Sequence, residues 1–353
     1  MRPATIGHGM LMDKYQANID IDRSMTGMMF DAYNDYAGFQ AQINDITLAN
    51  QMVGALIFIK PLSLVSDDIR AKSLSLGVEY VADMRAPLCI TDDAGACVQG
   101  TGLMGGVGPF TEGNSSSVGP APENSAIVRP DSLTGLPNVK SGLVQALGFS
   151  GEFKFLKIGR EIDLKIYGTH HQFLNSGGGS GSAGGLLARL NLGEKWINAF
   201  RLRGEYRSFE DGFIPGYFNS LYEVSKYGYF PKAYQHQVTP TKYQAIFGDP
   251  ENGFARETFG RRNGFRLEGE WGLFKGSRRN KQIAIGFGIS DSDGPDDSNF
   301  HAHLEFPYLG FVQFFGSIMR FGMKDLSNIT DINLSSIDNK TIILSGLRFQ
   351  FLP

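Results

Sequence analysis

Four charged residues at every second position, Arg201, Arg203, Glu205 and Arg207, carry the strongest chemical signal in this sequence. Alternate residues of a β-strand share a face, so these four project to one side and Phe200, Leu202 and Tyr206 to the other. A row of guanidiniums broken by one carboxylate can steer and select charged solutes. Facing lipid, the row would cost about 2–4 kcal/mol per Arg near mid-depth, so it belongs to an interior. That interior is either a wet, selective wall or a set of salt bridges. The same alternation adds Arg189, Arg266, Glu268, Glu270 and Arg348 to it, with Glu79, Asp83, Arg85, Glu152, Lys154, Asp163 and Lys165. His301, His303 and Glu305 share a face of another strand. At positions i, i+2 and i+4 they span about 13 Å, too far for one metal ion, so they are expected to line a pore and hold no metal.

Other patterns lead away from catalysis and cofactors. Asp291, Asp293, Asp296 and Asp297 open like a Ca²⁺ loop, but Ala302 stands where the bidentate Glu is required, so a solvated acidic loop is expected. The glycine run 177–185 lacks the Gly-Lys-Ser/Thr of a phosphate loop and is expected to be flexible. There is no GxSxG or comparable nucleophile-and-base pattern, and no enzyme activity is expected. Cys89 and Cys97 flank Asp92-Asp93-Ala94-Gly95, a tight turn that suits a local structural disulfide in an oxidising compartment.

The elements that position these residues read as strands throughout. The 353 residues include 45 Gly and 27 Phe but two Trp, and the formal net charge of −3 gives no reason to expect a nucleic-acid partner. The longest apolar run, Met52–Ile59, falls well short of the roughly 20 residues a membrane helix needs. Instead, period-2 segments of about ten residues recur, as tilted membrane strands would. They are expected at 1–8, 24–33, 36–44, 51–60, 72–85, 139–156, 162–166, 186–192, 196–208, 264–274, 281–290, 299–306, 311–323 and 341–352. The connections fall into two sets when assigned alternately to two sides. Long ones (86–138, 177–185, 210–256, 291–297, 324–338) share one side and short ones (34–35, 157–160, 193–195, 276–280, 307–310) the other, with two exceptions: 45–50 is short for the first side and 61–71 long for the second. Phe213, Tyr217, Phe218, Tyr222, Tyr227, Tyr229, Phe230 and Tyr234 crowd the 210–256 segment, which is therefore expected to pack at or inside a mouth.

The last segment, TIILSGLRFQFL, sets Thr341, Ile343, Leu347, Phe349 and Phe351 against Arg348 and Gln350. In this segment, in the strand pattern and in the loop asymmetry, the chain resembles Gram-negative outer-membrane β-barrel proteins of the porin-like type over essentially its whole length. The resemblance identifies no subfamily. It implies an all-β fold, a single domain over 1–353: a transmembrane antiparallel β-barrel of about 14 strands, its last strand pairing with its first. The long extracellular loops would be about 86–138 and 210–256. It also implies a place in the cell outer membrane, in contact with lipid and lipopolysaccharide, and assembly machinery that takes hold of the C-terminal strand. The implied function is passive passage of small polar or charged solutes without a cofactor. The alternative is a non-conducting barrel whose outer loops bind a partner or surface component. Met1 is followed by RPATIGHG rather than a basic and then apolar leader, so upstream sequence is expected.

Overall fold

A computed structural model describes residues 4–15, 27–44, 52–66, 71–91, 95–97, 138–159, 161–191, 197–219, 222, 226–227, 241–252, 256, 258, 260–273, 283–294, 298–307, 309–323 and 341–349. Its strands are β1 (Ala4–Ile6), β2 (Met12–Tyr15), β3 (Met28–Tyr33), β4 (Ala37–Ile43), β5 (Met52–Ile59), β6 (Ser75–Ile90), β7 (Val139–Ile158) and β8 (Ile162–Phe173). They continue with β9 (Ser180–Asn191), β10 (Ile197–Phe209), β11 (Phe218–Asn219), β12 (Arg262–Leu273), β13 (Ile283–Ser292), β14 (Ser298–Glu305), β15 (Val312–Met323) and β16 (Thr341–Phe349). A short helix, α1 (Lys242–Phe247), lies between β11 and β12.

Thirteen strands form one antiparallel sheet in the order β16-β15-β14-β13-β12-β10-β9-β8-β7-β6-β5-β4-β3. Neighbours in the sheet are neighbours in sequence except at β10 and β12, which flank the segment carrying β11. Such a meander keeps every pairing local. The expected strand at 1–8 does not join it. Ala4–Ile6 pairs with Met12–Tyr15 instead, making with β11 a separate three-stranded sheet, so among the described residues the large sheet has thirteen strands and does not include this segment. The reason is the sharp reversal at 7–9, where His8 takes the left-handed conformation at φ 48° and turns the chain back on itself.

Burial follows the alternation with its usual sense reversed. Phe30, Ile57, Val78, Phe149, Ile166, Tyr206, Phe265, Phe314, Ile343 and Leu347 are exposed on one face. Glu79, Asp83, Arg203, Glu205, Arg207 and Arg266 are buried on the other. The sheet curls around that polar face. Asp31 of β3, Gln40 of β4, Arg201 of β10 and His303 of β14 all border one cavity of about 520 Å³, although six strands, β4–β9, separate β3 from β10 along the sheet.

Glycines make room inside the curl. A Cβ on Gly148 would sit 1.9 Å from the His171 ring, and one on Gly288 or Gly286 would sit 2.1 Å from His301 or His303. Large inward side chains thus lie over glycines of the neighbouring strand, the small-and-large alternation of a tapering interior. This also corrects two sequence expectations. The glycine run is not a loop throughout: Ser180 onward is β9, whose Gly181 and Gly185 admit Phe213 and the Tyr167 hydroxyl. Nor does the first long excursion begin at 86, because β6 continues to Ile90 through a bulge, pairing Cys89 with Lys140. The remainder of 86–138, apart from Thr91, 95–97 and 138, lies outside the described residues, as do 324–338, Asp296 and Asp297.

Replacing Gly148 by Val should destabilise the fold by about 1–3 kcal/mol through overpacking against His171. Urea unfolding of the refolded protein would show the loss, while Val at Gly204, where an added Cβ meets nothing within 4 Å, should cost less.

Candidate functional site: a charged interior crossed by two segments

The inward row of β10 meets its partners through the sheet register. Arg203 lies opposite Glu268 and Glu205 opposite Arg266, both on β12. Tyr167 on β8 reaches the same place over Gly185 of β9. The Glu205 carboxylate is the hub. It accepts from Arg203 Nη2 at 2.5 Å, from the Tyr167 hydroxyl at 2.5 Å and from Arg207 Nε. Arg203 Nε in turn donates to the Tyr167 oxygen at 2.6 Å, and its Nη1 lies 3.3 Å from Glu268. Arg266 bridges Glu268 at 2.6 Å and Asp13 at 2.8 Å. All three guanidiniums are buried and each has carboxylate partners. A second buried pair, His171 Nε2 to Glu79 Oε2 at 2.5 Å, sits further along β8 and β6.

Two segments cross this interior. The N-terminal one spans it from β4 and β5 to β12. Ile6 packs at Gly54, Gln42 Nε2 contacts Met12 Sδ at 2.6 Å, and Asp13 holds Arg266. Midway, the His8 ring stacks on Tyr167 at 4.3 Å and 13°, and the His8 carbonyl accepts from Arg203. Burial, and then the Arg203 charge, hold the His8 imidazole below its ordinary pKa, so it is neutral there at pH 7.

The second segment is the aromatic stretch after β10. Phe213, Tyr217, Phe218 and Tyr222 are buried against Phe173, Phe209 and Phe247, so this part packs inward as the aromatic content predicts, while Tyr229, Phe230 and Tyr234 lie outside the described residues. Polar contacts fix it: Tyr222 Oη donates to Asp83 at 2.8 Å, and Arg262 Nη2 to the Phe213 carbonyl at 2.6 Å. A Thr241–Gln244 capping box starts α1. Lys242 Nζ donates to the Tyr217 carbonyl at 2.6 Å and lies 4.6 Å from that ring's centre. Burial pulls the Lys242 pKa down to about 7. The two segments are joined: Phe218 and Asn219 of β11 pair in parallel with Met12 and Asp13 of β2.

The sequence-derived residues divide accordingly. Arg201, Arg203, Arg266, Glu268, Glu270, His301 and His303 border the remaining cavity of about 520 Å³. Glu205 and Arg207 are buried in the network behind it. Arg189 lies opposite Arg201 on β9, and Glu305 opposite Ala284 on β13. His301 Nε2 is 3.9 Å from Glu268 Oε1. Arg348 pairs with Gln313 in the sheet, and its side chain lies outside the described residues. Cys89 and Cys97 are joined, with Cα atoms 5.6 Å apart, so the end of β6 is tied to 95–97. Tyr167 and His171 were missed, although they continue the inward phase of Asp163 and Lys165. His8, Asp13, Asp31 and Lys242 were also missed. For His8, Asp13 and Lys242 no periodicity gives a signal, since they act from outside the large sheet. The sequence matches no protein-family model and no curated protein.

Glu205→Gln would leave Arg203 and Arg207 buried without their shared carboxylate. The expected loss is about 3–5 kcal/mol of unfolding free energy, measured in urea with Glu205→Asp as the milder control. A second outcome concerns Lys242. Its docked pKa of about 7 lies below the ordinary 10.5, so the undocked state binds more protons between those values. Docking of α1 should therefore strengthen as pH rises from about 7 towards 10 and stay level below 7. Amide-exchange protection of 241–247 would follow this rise, and Lys242→Met should flatten it.

Proposed function

We propose that this chain is an outer-membrane β-barrel that passes small polar or charged solutes, narrowed by its own N-terminal segment and by the segment after β10. The observation that carries the reading is the reversed alternation: large apolar side chains exposed on one face of the sheet, charges buried on the other. Water would penalise such an outer face, whereas hydrocarbon accepts it, and a spanning sheet must bring its free edges together. Because antiparallel strands alternate in direction, the first and thirteenth run the same way. A closed cylinder thus takes a parallel seam or one more strand between β3 and β16. The outer surface would contact lipid and lipopolysaccharide, and the C-terminal strand would be the handle for the assembly machinery. The role is transport and not catalysis.

A second reading, a non-conducting barrel whose outer loops bind a partner, draws support from the two segments that fill much of the interior. Conductance across planar bilayers separates the two. The full chain should give small steps, and deletion of residues 1–15 should enlarge them severalfold by freeing Arg203, Arg266 and Tyr167. Silence from both proteins would sink the channel reading and leave the second.

A further inference from the structure

Most charges that border the interior cavity are already answered. Arg203 and Arg266 share Glu205, Glu268 and Asp13. Three lining residues stand apart: among the described residues Arg201, Glu270 and Asp31 make no hydrogen bond or ion pair. Arg201 and Glu270 are register partners on β10 and β12, on one wall. Asp31 is on β3, the far end of the sheet, with six strands between β3 and β10. Arg201 also has Arg189 directly opposite on β9, a like-charge pairing that Glu270 and, less strongly, Glu268 offset. A cation and an anion without a hydrogen bond or ion pair, Arg201 beside Glu270 on one wall and Asp31 across six strands on another, thus border one cavity.

We propose that this cavity binds a small zwitterion, with the solute's carboxylate on Arg201 and its ammonium on Asp31. The inference rests on the reading that the interior admits solutes. One molecule carrying both charges answers both walls at once, whereas singly charged solutes leave one wall unpaired. A guanidinium matches a carboxylate with two parallel donors. Gln40 and Tyr33, which line the Asp31 side, supply further polar contacts. The volume of about 520 Å³ exceeds that of an α-amino acid, so solutes whose charges are set apart by a short chain fit best.

Equilibrium dialysis of the full chain in detergent micelles tests this without requiring conduction. The probes are glycine, 4-aminobutyrate and 6-aminohexanoate, with butyrate and butylamine as singly charged controls. A zwitterion should bind about tenfold or more tightly than either control, since a charge-assisted hydrogen bond contributes that much. Asp31→Asn should lower it to the level of butyrate, and Arg201→Gln to the level of butylamine, while Asp31→Glu retains part of the preference. Circular dichroism matching the parent shows that each variant is folded. Equal binding of zwitterion and controls, no binding, or unchanged affinity in both charge-removing variants overturns the proposal. Conductance in bilayers without zwitterion preference overturns it and leaves the channel reading standing. Binding with no conductance overturns the channel reading alone.

Discussion

A charge buried on the inner face of a curled sheet has to be answered within a few ångströms, and this constraint shapes the rest of the structure. Removing one partner of a buried ion pair costs about 3–5 kcal/mol, a large fraction of a protein's net stability. The β10 row carries three Arg against one Glu, so the strand cannot neutralise itself. Glu205 takes two of them, and β12 lends Glu268. The balance still fails at Arg266, itself a β12 cation, and the deficit is met from outside the sheet by Asp13. Electrostatics thus explains why a short N-terminal segment lies in the interior instead of adding a strand at the edge.

The same constraint explains the glycines. An interior that holds Arg, His and Tyr side chains needs space beside each, and glycine on the adjacent strand provides it with no change in strand spacing. Gly185 beneath the Tyr167 hydroxyl is the clearest case, because that hydroxyl must stand between Arg203 and Glu205. A side chain at 185 would push Tyr167 away from both and remove the surface on which His8 stacks. The glycine content thus belongs to the charge network as much as to the turns.

The sheet was largely legible in the sequence, because period-2 alternation with a charged inner face is a strong local signal. Arg203, Glu205 and Arg207 are buried on one face of β10 and Tyr206 is exposed on the other, in keeping with that alternation. The pairing of the two cysteines was legible too, from their spacing. What failed to show was whatever depends on contacts distant in sequence. Residues 1–8 look like a strand and do contain one, but its partner is decided by the reversal at His8 and by Asp13 finding Arg266, 253 positions away. The glycine run reads as flexible because glycine is weak in isolated strands, whereas here the rings it faces, Phe213 and Tyr167, require it. Asp31 was overlooked because β3 offers a single charge and no row.

The two inner segments are best understood as one body. β2 and β11 share backbone hydrogen bonds, and each segment is anchored separately to the wall, the first through Asp13 and Met12, the other through Tyr222 and Arg262. Withdrawal of the N-terminal segment alone would leave the strand bonds of Phe218 unmet inside, and unmet buried amides cost about 1–3 kcal/mol each. Movement of the aromatic segment alone would do the same to Met12. A displacement of either therefore moves both together, so the aromatic segment is mechanically linked to the one bordering Arg203 and Arg266. In the proposed barrel, contact made at the loop side would reach the charged cavity through two residues of parallel β-pairing.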